Sequence, residues 1–132
     1  MPDFSCPTRG TVDFVDVTGK VADAVAESGV AEGVVHVFVT HTTAGITINE
    51  NADPDVVRDI KAALQRMVPD RGDYRHAEGN SPAHVKASLM GSSVTVPLAG
   101  GRLVLGTWQG IYLCEFDGPR TRRVHVTVVR GL

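Results

Sequence analysis

The stretch Gly33-Val-Val-His-Val-Phe-Val-Thr40-His-Thr-Thr-Ala-Gly-Ile-Thr-Ile-Asn-Glu-Asn-Ala-Asp-Pro54 holds a strand, a polar turn, a second strand and a helix start in one run. In its first part Val35, Val37, Val39 and His41 share one face, and Val34, His36, Phe38 and Thr40 share the other. That period of two is the signature of a β-strand. Both faces are largely apolar, which predicts a central strand. Ile46-Thr-Ile48 is a shorter strand candidate. Between and after the two strands come His41, Thr42, Thr43, Asn49, Glu50, Asn51 and Asp53. Polar loops held by rigid elements are where binding and catalytic groups concentrate.

Asp53-Pro54 starts a helix, because the carboxylate can accept an orphan N–H and proline suits the first helical position. Val56, Val57, Ile60, Ala63, Leu64 and Met67 follow at helical spacing until Pro69. Residues 69–81 read as a loop. Ser81-Pro82 repeats the start signal, predicting a short helix from Pro82 to Met90 closed by Gly91. Next comes a hairpin, Val94 to Leu98 and Arg102 to Leu105, with Pro97 suggesting an edge position. Two strands follow, Gly110 to Asp117 and Arg122 to Val129, joined by a turn through Pro119. On the N-terminal side, residues 11–17 read as a strand, and Thr18 would cap a helix that ends at Gly29. Strands outnumber helices, so an α+β domain with mostly antiparallel sheet is expected.

The chain has 132 residues, 42% hydrophobic and 21% charged, a size and composition that fit one domain with a sizeable core. Its net charge of −2 gives no reason to expect nucleic-acid binding. Arg120, Arg122 and Arg123 read as a solvated or subunit-contact surface. No stretch has the ~20 apolar residues of a membrane helix. The start Met1-Pro2-Asp3 lacks a leader pattern, so a cytoplasmic location is expected. Cys6 and Cys114 are too few for a disulfide framework.

Of five histidines, His36 and His125 sit within strands and read as core or sheet-surface residues. His41, His76 and His84 lie at element ends or in loops, where three imidazoles are able to hold a divalent metal, zinc or magnesium. His84 falls in a first helical turn, whose field disfavours imidazolium and whose N–H groups favour an anion. Thr42, Thr43, Asn80, Lys86, Ser88 and Arg120 are candidate donors for a phosphate. Glu50 has no structural task in the sequence and is a candidate acid–base group, whereas Asp53 is a helix cap. Glu115 shares a strand face with Gln109, Ile111 and Leu113, which predicts a buried carboxylate with a partner. Trp108, after a Gly-Thr break, reads as a packing anchor.

His41-Thr-Thr-Ala-Gly45, Ile48-Asn-Glu-Asn51, Asp53-Pro54, the stretch from Glu78 through His84 to Gly91, and Leu105-Gly-Thr-Trp-Gln-Gly-Ile111 followed by Glu115 together resemble the YjbQ-like proteins, the secondary thiamine-phosphate synthases. The resemblance runs over nearly the whole chain. It implies sandwiched sheets with two or three helices, a homotrimer, and a pocket containing His41, His76 and His84. It also implies a transfer that joins a hydroxymethylpyrimidine diphosphate to a thiazole phosphate with release of pyrophosphate, as a side activity. His41, Glu50 and His84 would then be catalytic and the substrate a phosphorylated small molecule. The alternative is a trimeric protein that binds a metal or phosphometabolite without turnover.

Overall fold

The computed structural model describes residues 2–132, in which strands and helices follow one another along the chain. They are β1 (Asp3–Pro7), β2 (Asp13–Asp16), α1 (Thr18–Ser28), β3 (Gly33–Val39), β4 (Ala44–Glu50), α2 (Pro54–Met67), α3 (Ser81–Met90), β5 (Ser93–Ala99), β6 (Arg102–Leu103), β7 (Gln109–Glu115) and β8 (Thr121–Arg130). Two antiparallel sheets form, one ordered β1-β8-β3-β5-β6 and the other β2-β7-β4. The expected α+β sandwich with three helices is the observed architecture.

β3 is the middle strand of its sheet, as its pattern predicts. Val35, Val37 and Val39 face the second sheet and are at most 1% exposed. They meet Val124 and Val126 of β8, Ile46 of β4, and Ile111 and Leu113 of β7, while Val21 and Val25 bring α1 into the same core. Each such side chain contributes roughly 1.5–3 kcal/mol on burial. The other face of β3 departs from the expectation. Val34 and His36 are half-buried and Phe38 is 37% exposed, because no layer covers this side of the five-stranded sheet.

β7 is covered on both faces. Ile111, Leu113 and Glu115 point into the inter-sheet core, while Tyr112 and Cys114, with Phe116 just beyond the strand, pack with Leu64 of α2 and Ala83 and Ala87 of α3. The order is therefore sheet, sheet, then α2 and α3, with α1 packed into the inter-sheet core. In this arrangement α3 lies against β4 and β7, beside the turn that carries His41.

Local signals hold with specific exceptions. Asp53 accepts the Asp55 N–H at 2.9 Å and Pro54 opens α2. Thr18 does not cap α1. Its hydroxyl donates to Asp16 at 2.6 Å and accepts the Ile111 N–H at 2.8 Å, so a strand distant in sequence takes the group reserved for the helix. Asn80, not Ser81, occupies the cap position of α3 and makes no side-chain cap bond. Pro97 lies inside β5 rather than on an edge. Its carbonyl accepts from Val104 at 2.9 Å, so its missing N–H faces the two-residue β6 and the open side of the sheet. Trp108 is no anchor: it is 63% exposed at the turn before β7. Arg122, expected at the surface, is 2% exposed.

Candidate functional site

β3 and β4 belong to different sheets, so the turn at residues 40–43 crosses the sandwich. Arg122 holds that crossing from below. Its Nη2 donates to Thr43 Oγ1 at 2.8 Å and to the Thr43 carbonyl at 3.2 Å. Its other bonds go to Glu115, with Nε–Oε1 at 2.8 Å and a short Nη2–Oε2 contact. Thr8 Oγ1 and the Asp117 N–H donate to the same carboxylate at 2.8 and 3.0 Å. Burial by itself pushes the Glu115 carboxyl up. The bonds from Arg122, the Asp117 amide and Thr8 outweigh it and hold the group below its ordinary value. Glu115 thus has the buried partner expected from its strand position. Thr43, proposed for phosphate, is 5% exposed and committed to this arginine.

His41 follows the end of β3, where β8 runs on past its last β3 pairing at Val124 and stays paired only to β1 on its other edge. The Arg123 N–H donates to His41 Nε2 at 2.9 Å, so the imidazole replaces the missing strand. An amide N–H only donates, which leaves Nε2 unprotonated and places the proton of the neutral ring on Nδ1. Burial lowers the His41 pKa, and the Arg122 guanidinium lowers it further, with Arg120 and His125 acting in the same direction and Glu115 opposing. His41 is therefore a fixed hydrogen-bond donor through Nδ1. Neither of its nitrogens presents a free lone pair in this arrangement.

His41, Thr42 and Ala44 form one wall of a cavity of about 510 Å³, and His84, Ser88 and Ser92 lie on the wall opposite. Gly45 sets the spacing of the two walls. A Cβ there would lie 2.7 Å from the Gly91 carbonyl oxygen, and the Ile46 N–H donates to that oxygen at 3.0 Å. Only glycine lets the end of α3 press on β4 so closely. Ser88 donates its hydroxyl proton to the His84 carbonyl at 2.9 Å, so its oxygen faces the cavity as an acceptor. The His76 ring meets His84 edge to face at 5.3 Å, and Glu78 lies 3.9 Å from His76 Nε2.

The other candidates lie elsewhere. Asn80 and Lys86 line a second cavity of about 450 Å³, with Gln65, Phe116 and Asp117 and without His41 or His84. Arg120 is turned to Asp117, bonding its carbonyl at 2.9 Å and its carboxylate at 3.3 Å. Glu50 stands at the far end of β4, where its Oε2 accepts the Asp53 N–H at 3.2 Å. It has the structural task its sequence position did not reveal, bracing the start of α2. The three histidines do not assemble into a metal centre within one chain. Among the described residues no group of three or more His, Cys, Asp or Glu side chains is placed to hold an ion. Sequence reasoning missed Ser92, whose only signal is its place after Gly91, and Asp117, which reads in the sequence as an ordinary turn residue.

The family model for YjbQ-like UPF0047 proteins matches residues 3–131. A UPF0047 protein of Methanocaldococcus jannaschii is 46% identical over 126 residues, covering 96% of this chain and 91% of the relative. The UPF0047 protein YugU of Bacillus subtilis is 48% identical over 118 residues, 89% of each chain. A crystal structure of a YjbQ/UPF0047 family protein from Clostridium acetobutylicum superposes with a TM-score of 0.96 at 56% identity, covering 98% of this chain and 100% of that one. A conserved hypothetical protein of Thermus thermophilus gives 0.91 at 42% identity, over 98% and 100%. With a family match along nearly its whole length and the same fold in solved relatives, this chain belongs to the YjbQ-like UPF0047 family.

Proposed function

We propose that the cavity between the His41 turn and α3 is the active site of an enzyme acting on a phosphorylated small molecule, with a thiamine-phosphate synthase reaction as a side activity. In that reaction the thiazole nitrogen attacks the pyrimidine methylene carbon with its own lone pair. A C–N bond forms, the C–O bond to the diphosphate breaks, and pyrophosphate leaves with the electron pair. No proton must be removed from the nucleophile. What the site has to supply is donors for the charge that grows on the leaving group.

The observation that carries this reading is the locked ring of His41. Its Nε2 is occupied by the Arg123 N–H, which leaves Nδ1–H as the one donor of a ring that lines the cavity with His84 and Thr42. His84, on the opposite wall, is the second donor. A homotrimer is part of the same reading. Phe38 and Val129, 37% and 51% exposed on adjacent strands, lie on the uncovered sheet face and support an assembly that buries them.

The test is pyrophosphate release from a hydroxymethylpyrimidine diphosphate in the presence of a thiazole phosphate. His84→Ala is expected to lose at least about 100-fold in turnover, and His41→Asn a similar amount. Full activity of both variants with an intact fold would overturn the assignment. Retention of an unchanged ligand, with no product from any pyrophosphorylated substrate, would favour a binding protein instead.

A further inference from the structure

Between α2 and α3, residues 68–80 form neither helix nor strand. Structureless connections of this length are uncommon in a compact domain and most often serve a site. Both ends are fastened. Val68 is 6% exposed, and its N–H donates to the Leu64 carbonyl at 2.9 Å. Asn80 donates from Nδ2 to Asp117 Oδ2 at 2.8 Å. What lies between is loosely held. Residues 69–79 are exposed apart from a half-buried Tyr74. Their hydrogen bonds are local. The Tyr74 hydroxyl donates to the Pro69 carbonyl at 2.6 Å, the Tyr74 N–H to the Gly72 carbonyl at 2.9 Å, and the Gly79 N–H to the His76 carbonyl at 3.1 Å. The charged neighbour of His76, Glu78, belongs to the same segment. Among the described residues, the segment has one ring or polar contact outside itself, that of His76 with His84.

His84 lines the cavity it shares with His41, and His76 does not. The loop thus reaches the wall of the cavity and stops one ring short of it. A segment so weakly tied opens and closes at little cost. Pro69 and Gly79, the latter at φ 75°, bound it as corners. We propose that residues 69–79 are a lid of the His41–His84 cavity, and that closure carries His76 from the His84 ring onto the anionic group of the ligand. The lid rests on the reading of that cavity as a site for a phosphorylated molecule. The reaction assigned there gives it a task. As the C–O bond to the diphosphate breaks, water competes with the thiazole nitrogen for the methylene carbon. Its oxygen would bond to that carbon and lose a proton to solvent, leaving the pyrimidine methanol and pyrophosphate. A closed loop keeps that water out. His76 also adds an N–H donor for the charge on the leaving group.

Arg71 and Arg75 are exposed in this loop, so trypsin reports its position in the intact protein. The probe is inorganic pyrophosphate, with its binding followed by phosphorus NMR. Saturating pyrophosphate is expected to slow cleavage after Arg71 and Arg75 about tenfold. Cleavage after Arg9, exposed in the loop behind β1, should not change. His76→Ala is expected to bind pyrophosphate within about tenfold of the native protein but to gain less than about threefold protection. With both substrates, the same variant is expected to divert at least about threefold more of the pyrimidine to the methanol, a share that a merely structural role would not move. Pyrophosphate binding with unchanged cleavage at both arginines overturns the lid alone, as does full protection in His76→Ala. Absence of pyrophosphate binding overturns the lid together with the anion site beneath it. Protection without turnover of any substrate supports the lid and overturns the reaction.

Discussion

Two buried cations lie at either end of this molecule's polar chemistry, and they are treated differently. Arg122 spends its guanidinium on Glu115 and Thr43, and Glu115 in turn is satisfied by Thr8 and the Asp117 amide. Lys86, similarly buried, has one neutral partner and an unsatisfied acceptor beside it. A closed network of this kind fixes the path of the chain between the sheets. An open one leaves valence unspent. Burial alone therefore does not distinguish the two cations; how completely each is hydrogen-bonded does.

The comparison breaks most visibly at Arg122. Arg122→Met leaves the Glu115 carboxylate buried without its cation and is expected to cost about 3–5 kcal/mol in denaturant unfolding. A loss under 1 kcal/mol would mean that the pair is not what holds the crossing. Gly45→Ala comes next. Its Cβ would stand 2.7 Å from the Gly91 oxygen and 2.8 Å from Met90 Cβ, neither free to move far. A loss of about 1–3 kcal/mol is expected, together with weaker turnover at the His41–His84 cavity.

Acid titration separates the His41 contribution from that of the ion pair. His41 has its pKa lowered from an ordinary 6.5, so the unfolded chain takes up this proton first. Its contribution is complete above about 6.5 and is lost as pH falls through the folded value. Glu115 is lowered from 4.5, so its contribution is complete above that and is lost further into acid. The melting temperature should thus fall in two stages on the acid side. His41→Asn should remove the first and keep the second; a fall in that variant that still shows both stages would refute the assignment. The smallest effect belongs to Lys86. Lys86→Met removes a buried ammonium whose partner Gln65 is exposed and can turn to water, so stability should stay within about 1 kcal/mol or rise. A cost matching that of Arg122→Met would erase the distinction between the two cations.

Much of the fold is legible in the residues. The alternation of Val35, Val37 and Val39, the Asp53-Pro54 start and the helix-ending Gly29 and Gly91 are local signals, because each rests on the geometry of a few adjacent residues. The misreadings share one cause. Thr18 looks like a cap until the Ile111 N–H takes its hydroxyl, and Glu50 looks idle until the Asp53 N–H turns to it. Arg122 reads as one of three surface arginines until Glu115 is placed across from it. Which partner a polar side chain meets is decided by the folded backbone and leaves no trace in local pattern.

The candidate site divides in the same way. That His41, Thr42, His84 and Ser88 are chemically able residues on element ends is visible in the sequence, and the structure sets them around one cavity. Which cavity each face of α3 meets is not, since His84 lines one and Lys86 the other. Nor does the sequence disclose that a backbone N–H on β8 fixes the tautomer of His41. The sequence by itself determined the α+β class, the family and the elements other than β1, which its first residues did not announce. Only the tertiary structure decided which polar groups are spent on holding the sheets together and which remain free, because that depends on who meets whom across the sandwich.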